Sequence, residues 1–303
     1  MIGRWEEYTA TKTKKVARRV RKGIPPQQRG EVWCLLARVE ASLSHYPGLY
    51  DSLSSSPVGG EVGEMAQWMR IIDVDLYRTF PTEPAFAKGS AEGEVNIQRL
   101  RRLLRAYAEF DPVVGYCQSQ NFIAATLLVF LPEEKAFWVF VDLMQSSTAP
   151  LRRLFLPGME ETSAMCSTLD GLIDLHLPKL AKQFRNLEIF SGMFCTEWYM
   201  TIYSRSFPII LVARIVDVIL AERSTKVLHR IALLLLKNSQ RDLLCEADLG
   251  VVLKRVKELP DDVKYWKGGT DAFMKAAFNM NLKKETIEGI QLQLAAESAA
   301  DGR

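Results

Sequence analysis

Apolar residues recur three and four positions apart along nearly the whole of the 303-residue chain, and alternating apolar–polar runs are almost absent. A half-buried strand needs that alternation and an amphipathic helix needs the wider spacing, so the pattern predicts an all-α fold. PPQQRGEVWCLLARVEASLS places prolines where a helix starts, then Val32, Leu35, Leu36 and Val39 at helical spacing. VNIQRLRRLLRAYAEF at 95–110 repeats it through Ile97, Leu100, Leu103, Leu104 and Tyr107. LPEEKAFWVFVDLM adds Pro132 and two glutamates in a first turn, where the helix dipole favours negative charge. Further helices are predicted over 163–185, 193–205, 209–221, 224–238, 246–257 and 270–279.

Hydrophobic residues at 48% and aromatics at 10% suffice for a substantial core, and the length suits one large helical domain or two lobes. A soft boundary is predicted near 148–160. The Gly/Ser/Pro stretch YPGLYDSLSSSPVGG at 46–60 reads as a flexible loop and the tail ESAADGR as frayed. No fixed-period repeat supports a solenoid.

Net charge is only +3, yet residues 1–30 carry nine Lys or Arg against two Glu. KTKKVARRVRKG intersperses Val16, Ala17 and Val20 among its charges, as an amphipathic helix lying on the protein does, so its basic face is expected to be solvated. Nucleic-acid binding is not expected, and membrane contact only peripherally. Cysteines 34, 117, 166, 195 and 245 form no CxxC or Cys/His cluster, which fits free thiols in a reducing compartment. The N-terminus lacks the apolar core of a signal peptide, and Gly3 stands one place late for myristoylation. The longest apolar runs, 122–131 and 209–220, are too short or too charged to span a bilayer, so a soluble, cytoplasmic chain is expected.

Neither a phosphate-binding GxxxxGK[ST] loop nor a dinucleotide fingerprint occurs, so no nucleotide is expected on this chain alone. His45, His176 and His229 lack metal-ligand spacing, and Cys117, with no base nearby, reads as a buried thiol.

Two polar clusters stand where a plain bundle needs none. In IIDVDLYRTFP, Ile72, Asp75 and Arg78 recur every third position, which in a helix gives them one face and lets the carboxylate aim the guanidinium. Pro81 disfavours helix at Phe80, leaving Arg78 at an element end; a helix-end salt bridge is the plainer alternative. In GYCQSQNF, Asp111-Pro112 makes a turn, Gly115 lets the backbone bend, and a helix is expected to start near Gln118, with Ser119 or Asn121 as caps. The Gln118 amide, donor and acceptor at once, suits holding a water beside a phosphate.

GIPPQQRGEVW at 23–33, IIDVDLYRTFP at 71–81 and VVGYCQSQNFIAA at 113–125 together resemble the three signature motifs of the TBC domain, RGxxW, IxxDxxR and YxQ. The likeness continues through EEKAFW at 133–138 and FCTEWYMTIYSRSFPIILVARIVD at 194–217, covering roughly residues 20–260. It implies a V-shaped, two-lobed helical domain over 23–260, after a basic extension at 1–22 and before a helical extension at 261–303. It also implies a GTPase-activating protein for Rab-family small GTPases in vesicle trafficking, acting on the GTP form at Rab-bearing membranes. Arg78 and Gln118 match the family's catalytic arginine and glutamine, both inserted into the partner's nucleotide site. Asp75 would orient Arg78, Ile72 would anchor that face, Tyr116 would position the glutamine, and Arg29, Gly30 and Trp33 look like scaffold. GTP and Mg belong to the partner, so the chain needs no cofactor of its own; a monomer is expected. A catalytically weak scaffold that binds small GTPases as an effector is the alternative. Ser119 and Gln120 stand where the family usually has Gly and Met, Val216 replaces a frequent Trp, and AERS at 221–224 lacks the usual glycine.

Overall fold

A computed structural model of the chain describes residues 13–55, 62–145 and 151–301, and every regular element among them is helical. The predicted basic extension, the 46–60 loop and the 148–160 boundary therefore lie partly outside the described residues. The chain divides into two compact units: Met1–Pro157 with Val212–Ser224, and Gly158–Leu211 with Thr225–Arg303.

The first unit begins with α1 (Thr13–Val20), whose Val16 and Val20 bury while its lysines and arginines stay exposed, the amphipathic split its sequence predicts. α2 (Pro26–Leu36) and α3 (Val39–His45) replace the single helix expected over this stretch. Arg38 takes the left-handed conformation (φ 54°) that commonly terminates a helix, and the new axis buries Val39. α4 (Leu49–Ser54) occupies part of the expected loop, buried through Tyr50 and Leu53. α5 (Gly63–Leu76) follows, then α6 (Ala91–Phe110), α7 (Gln120–Phe130) and α8 (Glu133–Gln145).

α6 is the axle of this unit, packing on α4, α5, α7 and α8. Ser90 caps it by accepting from the Gly93 amide at 2.9 Å, and Ile97, Leu100, Leu103, Leu104 and Tyr107 all bury. α7 and α8 meet it with almost wholly apolar faces, Tyr107 lying edge-on to Phe140 at 4.8 Å.

In the second unit α9 (Glu160–His176) and α10 (Pro178–Asn186) split the predicted 163–185 helix, because Pro178 lacks an N–H and suits only a first turn. α11 (Cys195–Met200) stops well short of residue 205, since Ile202 (φ 47°) and Tyr203 (φ 65°) turn left-handed to bury both side chains. α12 (Ile209–Glu222) carries the chain back to the first unit. α13 (Lys226–Leu244) is then the second unit's core, buried continuously over residues 227–236. α14 (Leu249–Glu258), α15 (Gly269–Asn279) and α16 (Lys284–Asp301) complete it. The tail expected to fray lies partly outside the described residues; α16 runs to Asp301, and alanine-rich sequence with a Gln293 to Glu297 hydrogen bond of 3.2 Å favours helix along it. Among the described residues no helix is long and apolar enough to cross a membrane.

Candidate functional site

Two segments of the first unit, 75–80 and 115–122, are bound together residue by residue. α5 ends at Leu76, and the turn after it satisfies the helix's last carbonyls internally. Asp75 O accepts from the Arg78 amide at 3.1 Å and from Thr79 Oγ1 at 2.8 Å, while Leu76 O accepts from the Thr79 amide at 3.2 Å. Phe80, held before Pro81 at φ 47°, buries its ring edge-on to Phe122 at 5.5 Å.

The second segment enters through Gly115. Its φ is +57°, and a Cβ there would lie 2.1 Å from the Trp68 indole, so only glycine lets the chain cross that face of α5. Tyr116, buried, then donates its hydroxyl to Asp75 Oδ2 at 2.9 Å. Burial and that neighbouring carboxylate raise the phenol's pKa, so it stays a donor. Cys117 is half-buried, and burial raises its thiol, as expected for a structural cysteine. Asn121, buried, donates from Nδ2 to Thr79 Oγ1 at 2.7 Å and accepts the Ser119 amide on Oδ1 at 3.1 Å. Thr79 thus receives from one segment and donates to the other.

Arg78 and Gln118 are the exceptions in this bound pair of segments. Both are exposed, and neither side chain has a hydrogen bond or ion pair among the described residues. Arg78 lies beyond the end of α5, so the one-face spacing with Ile72 and Asp75 does not extend to it. Ile72 is fully buried, Asp75 is 4% exposed, and Arg78 points off the helix's termination. The expected pairing of Asp75 with Arg78 is therefore corrected: the carboxylate takes Tyr116 instead, because its side chain lies on the buried face.

The start of the following helix also shifts. α7 begins at Gln120, and Ser119 precedes it at φ 96°, ψ −25° without a side-chain cap bond. Neither Ser119 nor Asn121 serves as the expected cap; Asn121 reaches back to Thr79 and the Ser119 amide. Gln120 is 0% exposed, and neither atom of its amide has a partner among the described residues.

Arg29, Gly30 and Trp33 lie elsewhere in this unit. Arg29 Nε and Trp33 Nε1 both donate to Asp217 Oδ1, at 3.1 and 2.7 Å, and Arg214 approaches Oδ2 at 3.3 Å. Burial raises the Asp217 carboxyl, while the guanidiniums and indole pull it back down. Gly30 lies against the end of α7, where a Cβ would stand 2.4 Å from Phe130 O. Sequence reasoning passed over four residues here: Asp217 and Arg214, inside a quoted stretch, Thr79, directly after the arginine motif, and Trp68, one helical turn before Ile72. Their partners lie far off in sequence, Asn121 at 42 residues from Thr79, Arg29 at 188 from Asp217 and the Val20 carbonyl at 194 from Arg214, and Trp68 meets Gly115 from another segment, so local spacing carried no signal for them.

A family model described as the Rab-GTPase-TBC domain matches residues 26–244. TBC1 domain family member 10A of Mus musculus is 34% identical over 244 residues, 79% of this chain and 45% of that protein. Carabin of Mus musculus is 33% identical over 238 residues, 77% of this chain and 50% of that protein. The chain thus spans half or less of these relatives' lengths. Among solved structures, the Chlamydomonas flagellar RabGAP TBC domain superposes with a TM-score of 0.71 at 28% identity, covering 91% of this chain and 89% of that one.

Proposed function

The chain belongs to the Rab-GTPase-TBC domain family, and we propose that it accelerates GTP hydrolysis on a Rab-type GTPase, lending Arg78 and Gln118 in trans. The observation that carries the reading is the contrast within one pair of segments. Tyr116, Asp75, Thr79 and Asn121 are buried and mutually bonded, while the two residues between those anchors are exposed and unengaged. Rigid anchoring with free tips is what positioning chemistry demands, because misplacement is costly and a side chain already paired would have to break its bonds first.

In phosphoryl transfer the barrier falls by orientation and charge stabilisation. An arginine fork spreads positive charge over the transferring phosphoryl oxygens, and a neutral amide aims the attacking water. The partner supplies GTP and Mg. Ile71 and Val74 are exposed along α5, Tyr77 directly after its end and Val113 ahead of Gly115; a partner seated on them excludes water from the inserted residues. The chain acts as a monomer at Rab-bearing membranes, reached through the partner.

A panel of purified Rab proteins assayed by single-turnover phosphate release tests this. On a responsive Rab, Arg78→Lys should lose on the order of 10³-fold in stimulation, since lysine keeps charge without the planar fork. Gln118→Ala should be severely impaired while replacement of the partner's own glutamine is tolerated. Wild-type rates for both variants would remove the assignment.

A further inference from the structure

The second unit holds a pair of thiols that the hydrolysis chemistry does not use. Cys166 lies in α9 and Cys195 is the first residue of α11. Cys195 Sγ donates a hydrogen bond to Cys166 Sγ at 3.1 Å. Cys195 is 0% exposed and Cys166 4%, but the two differ in access. Cys166 lines a cavity of about 230 Å³ whose other walls include Asp170, Phe190, Met159 and Thr196. Phe190 and Met159 are themselves exposed, so the cavity communicates with solvent at that rim. Thr196 Oγ1 lies 3.7 Å from Cys166 Sγ, a further polar neighbour.

We propose that Cys166 and Cys195 form a peroxide-sensitive thiol pair, oxidised to a disulfide through a small oxidant admitted by this cavity. Three observations support it. The sulfurs need to close by only about 1 Å to reach the roughly 2.05 Å of a disulfide. The cavity admits molecules the size of water or hydrogen peroxide to one sulfur, leaving the other as an enclosed resolving thiol. The hydrogen bond from Cys195 lowers the Cys166 thiol against the opposing effect of burial, whereas burial raises Cys34 and Cys117. Asp170, one turn along α9, works against a Cys166 thiolate, but its charge is occupied by the Ser191 amide and hydroxyl at 2.8 and 2.6 Å.

The chemistry balances in two steps. The Cys166 sulfur attacks one oxygen of hydrogen peroxide; an S–O bond forms, the O–O bond breaks, and the departing hydroxide takes the thiol proton to leave as water. The Cys195 sulfur then attacks the sulfenic sulfur; the S–S bond forms, the S–O bond breaks, and the second water leaves with the Cys195 proton. Each sulfur is oxidised by one electron, and peroxide is reduced by two. A dithiol reductant reverses the change.

The test uses the full reduced chain, treated with hydrogen peroxide, quenched by alkylation and mapped by mass spectrometry. The expected product is a cross-linked peptide pair containing Cys166 and Cys195, lighter by two hydrogen atoms and restored by dithiothreitol, with Cys34, Cys117 and Cys245 still alkylated. Cys195→Ser, checked for native circular dichroism, should instead trap a dimedone-reactive sulfenic acid on Cys166, and Cys166 should be consumed at least roughly tenfold faster than Cys34. The proposal is overturned if exposed Cys245 oxidises while the cross-link is absent, or if Cys166 passes to the sulfinic acid with Cys195 unmodified. The wild-type measurement decides even if the variant misfolds.

Discussion

The Tyr116 hydroxyl donates across 2.9 Å to the Asp75 carboxylate, tying the segment that bears Gln118 to the helix end that bears Arg78. Tyr116→Phe keeps the ring's packing but removes the donor from a buried carboxylate. Loss of one such bond costs about 1–3 kcal/mol, and loosened segments should lower single-turnover stimulation roughly ten- to a hundredfold. Urea unfolding and phosphate release read the two effects separately. An unchanged rate at lowered stability would make the bond purely structural.

Gln120 should respond in the opposite sense. Its amide is fully buried at the first position of α7 with neither atom partnered among the described residues, and Ile123, Ala124, Ala125, Leu127 and Leu128 of the same helix bury with it. Gln120→Met removes that desolvation burden at similar volume, so the unfolding midpoint should rise, by roughly 1–2 kcal/mol in stability. A fall would mean that the amide has a partner in solution, such as a bound water.

Ser119 sits at φ 96°, where an L side chain is strained. Ser119→Gly relieves that strain while loosening the unfolded chain, so a net gain of about 0.5–1 kcal/mol is expected. Calorimetry checks the shift, and Ser119→Ala should give no comparable gain.

His229 gives a pH signature. Its Nδ1 lies 2.8 Å from the Tyr199 hydroxyl, and burial pushes its pKa down to about 4 from 6.5. The unfolded chain takes up this proton below pH 6.5 and the folded one does not until about pH 4, so the unfolded state binds more protons between them. Stability is therefore intact above pH 6.5 and declines by roughly 3 kcal/mol as pH falls through that window. His229→Gln should flatten this part of the profile; an equally steep decline in the variant would assign it to other groups.

Much of this molecule is legible in its sequence, for physical reasons that differ by element. The face of α6 is local information, since Ile97 through Tyr107 mark it at helical spacing whatever they pack against. Gly30 and Gly115 are conspicuous as glycines, but their reasons, Phe130 O and the Trp68 indole, belong to other segments. Where spacing misled, tertiary packing decided: Asp75 turns to Tyr116, 41 residues away, instead of Arg78, and Tyr203 leaves helical geometry to reach Leu228 O at 2.9 Å. Left-handed residues such as Arg38 are side chains of no special type, so composition gives no warning of them.

The return of residues 212–224 to the first unit bears on the order of synthesis. Arg78 and Gln118, with all four side chains that anchor their segments, have been made by residue 121. Buried Arg29 and Trp33 nonetheless wait for Asp217, 188 and 184 residues downstream. Until α12 leaves the ribosome, the nascent first unit holds a guanidinium and an indole without their acceptor, and its closure is necessarily late and non-local. A fragment ending at Pro157 would contain both bound segments, 75–80 and 115–122, and still lack the carboxylate that completes the body carrying them.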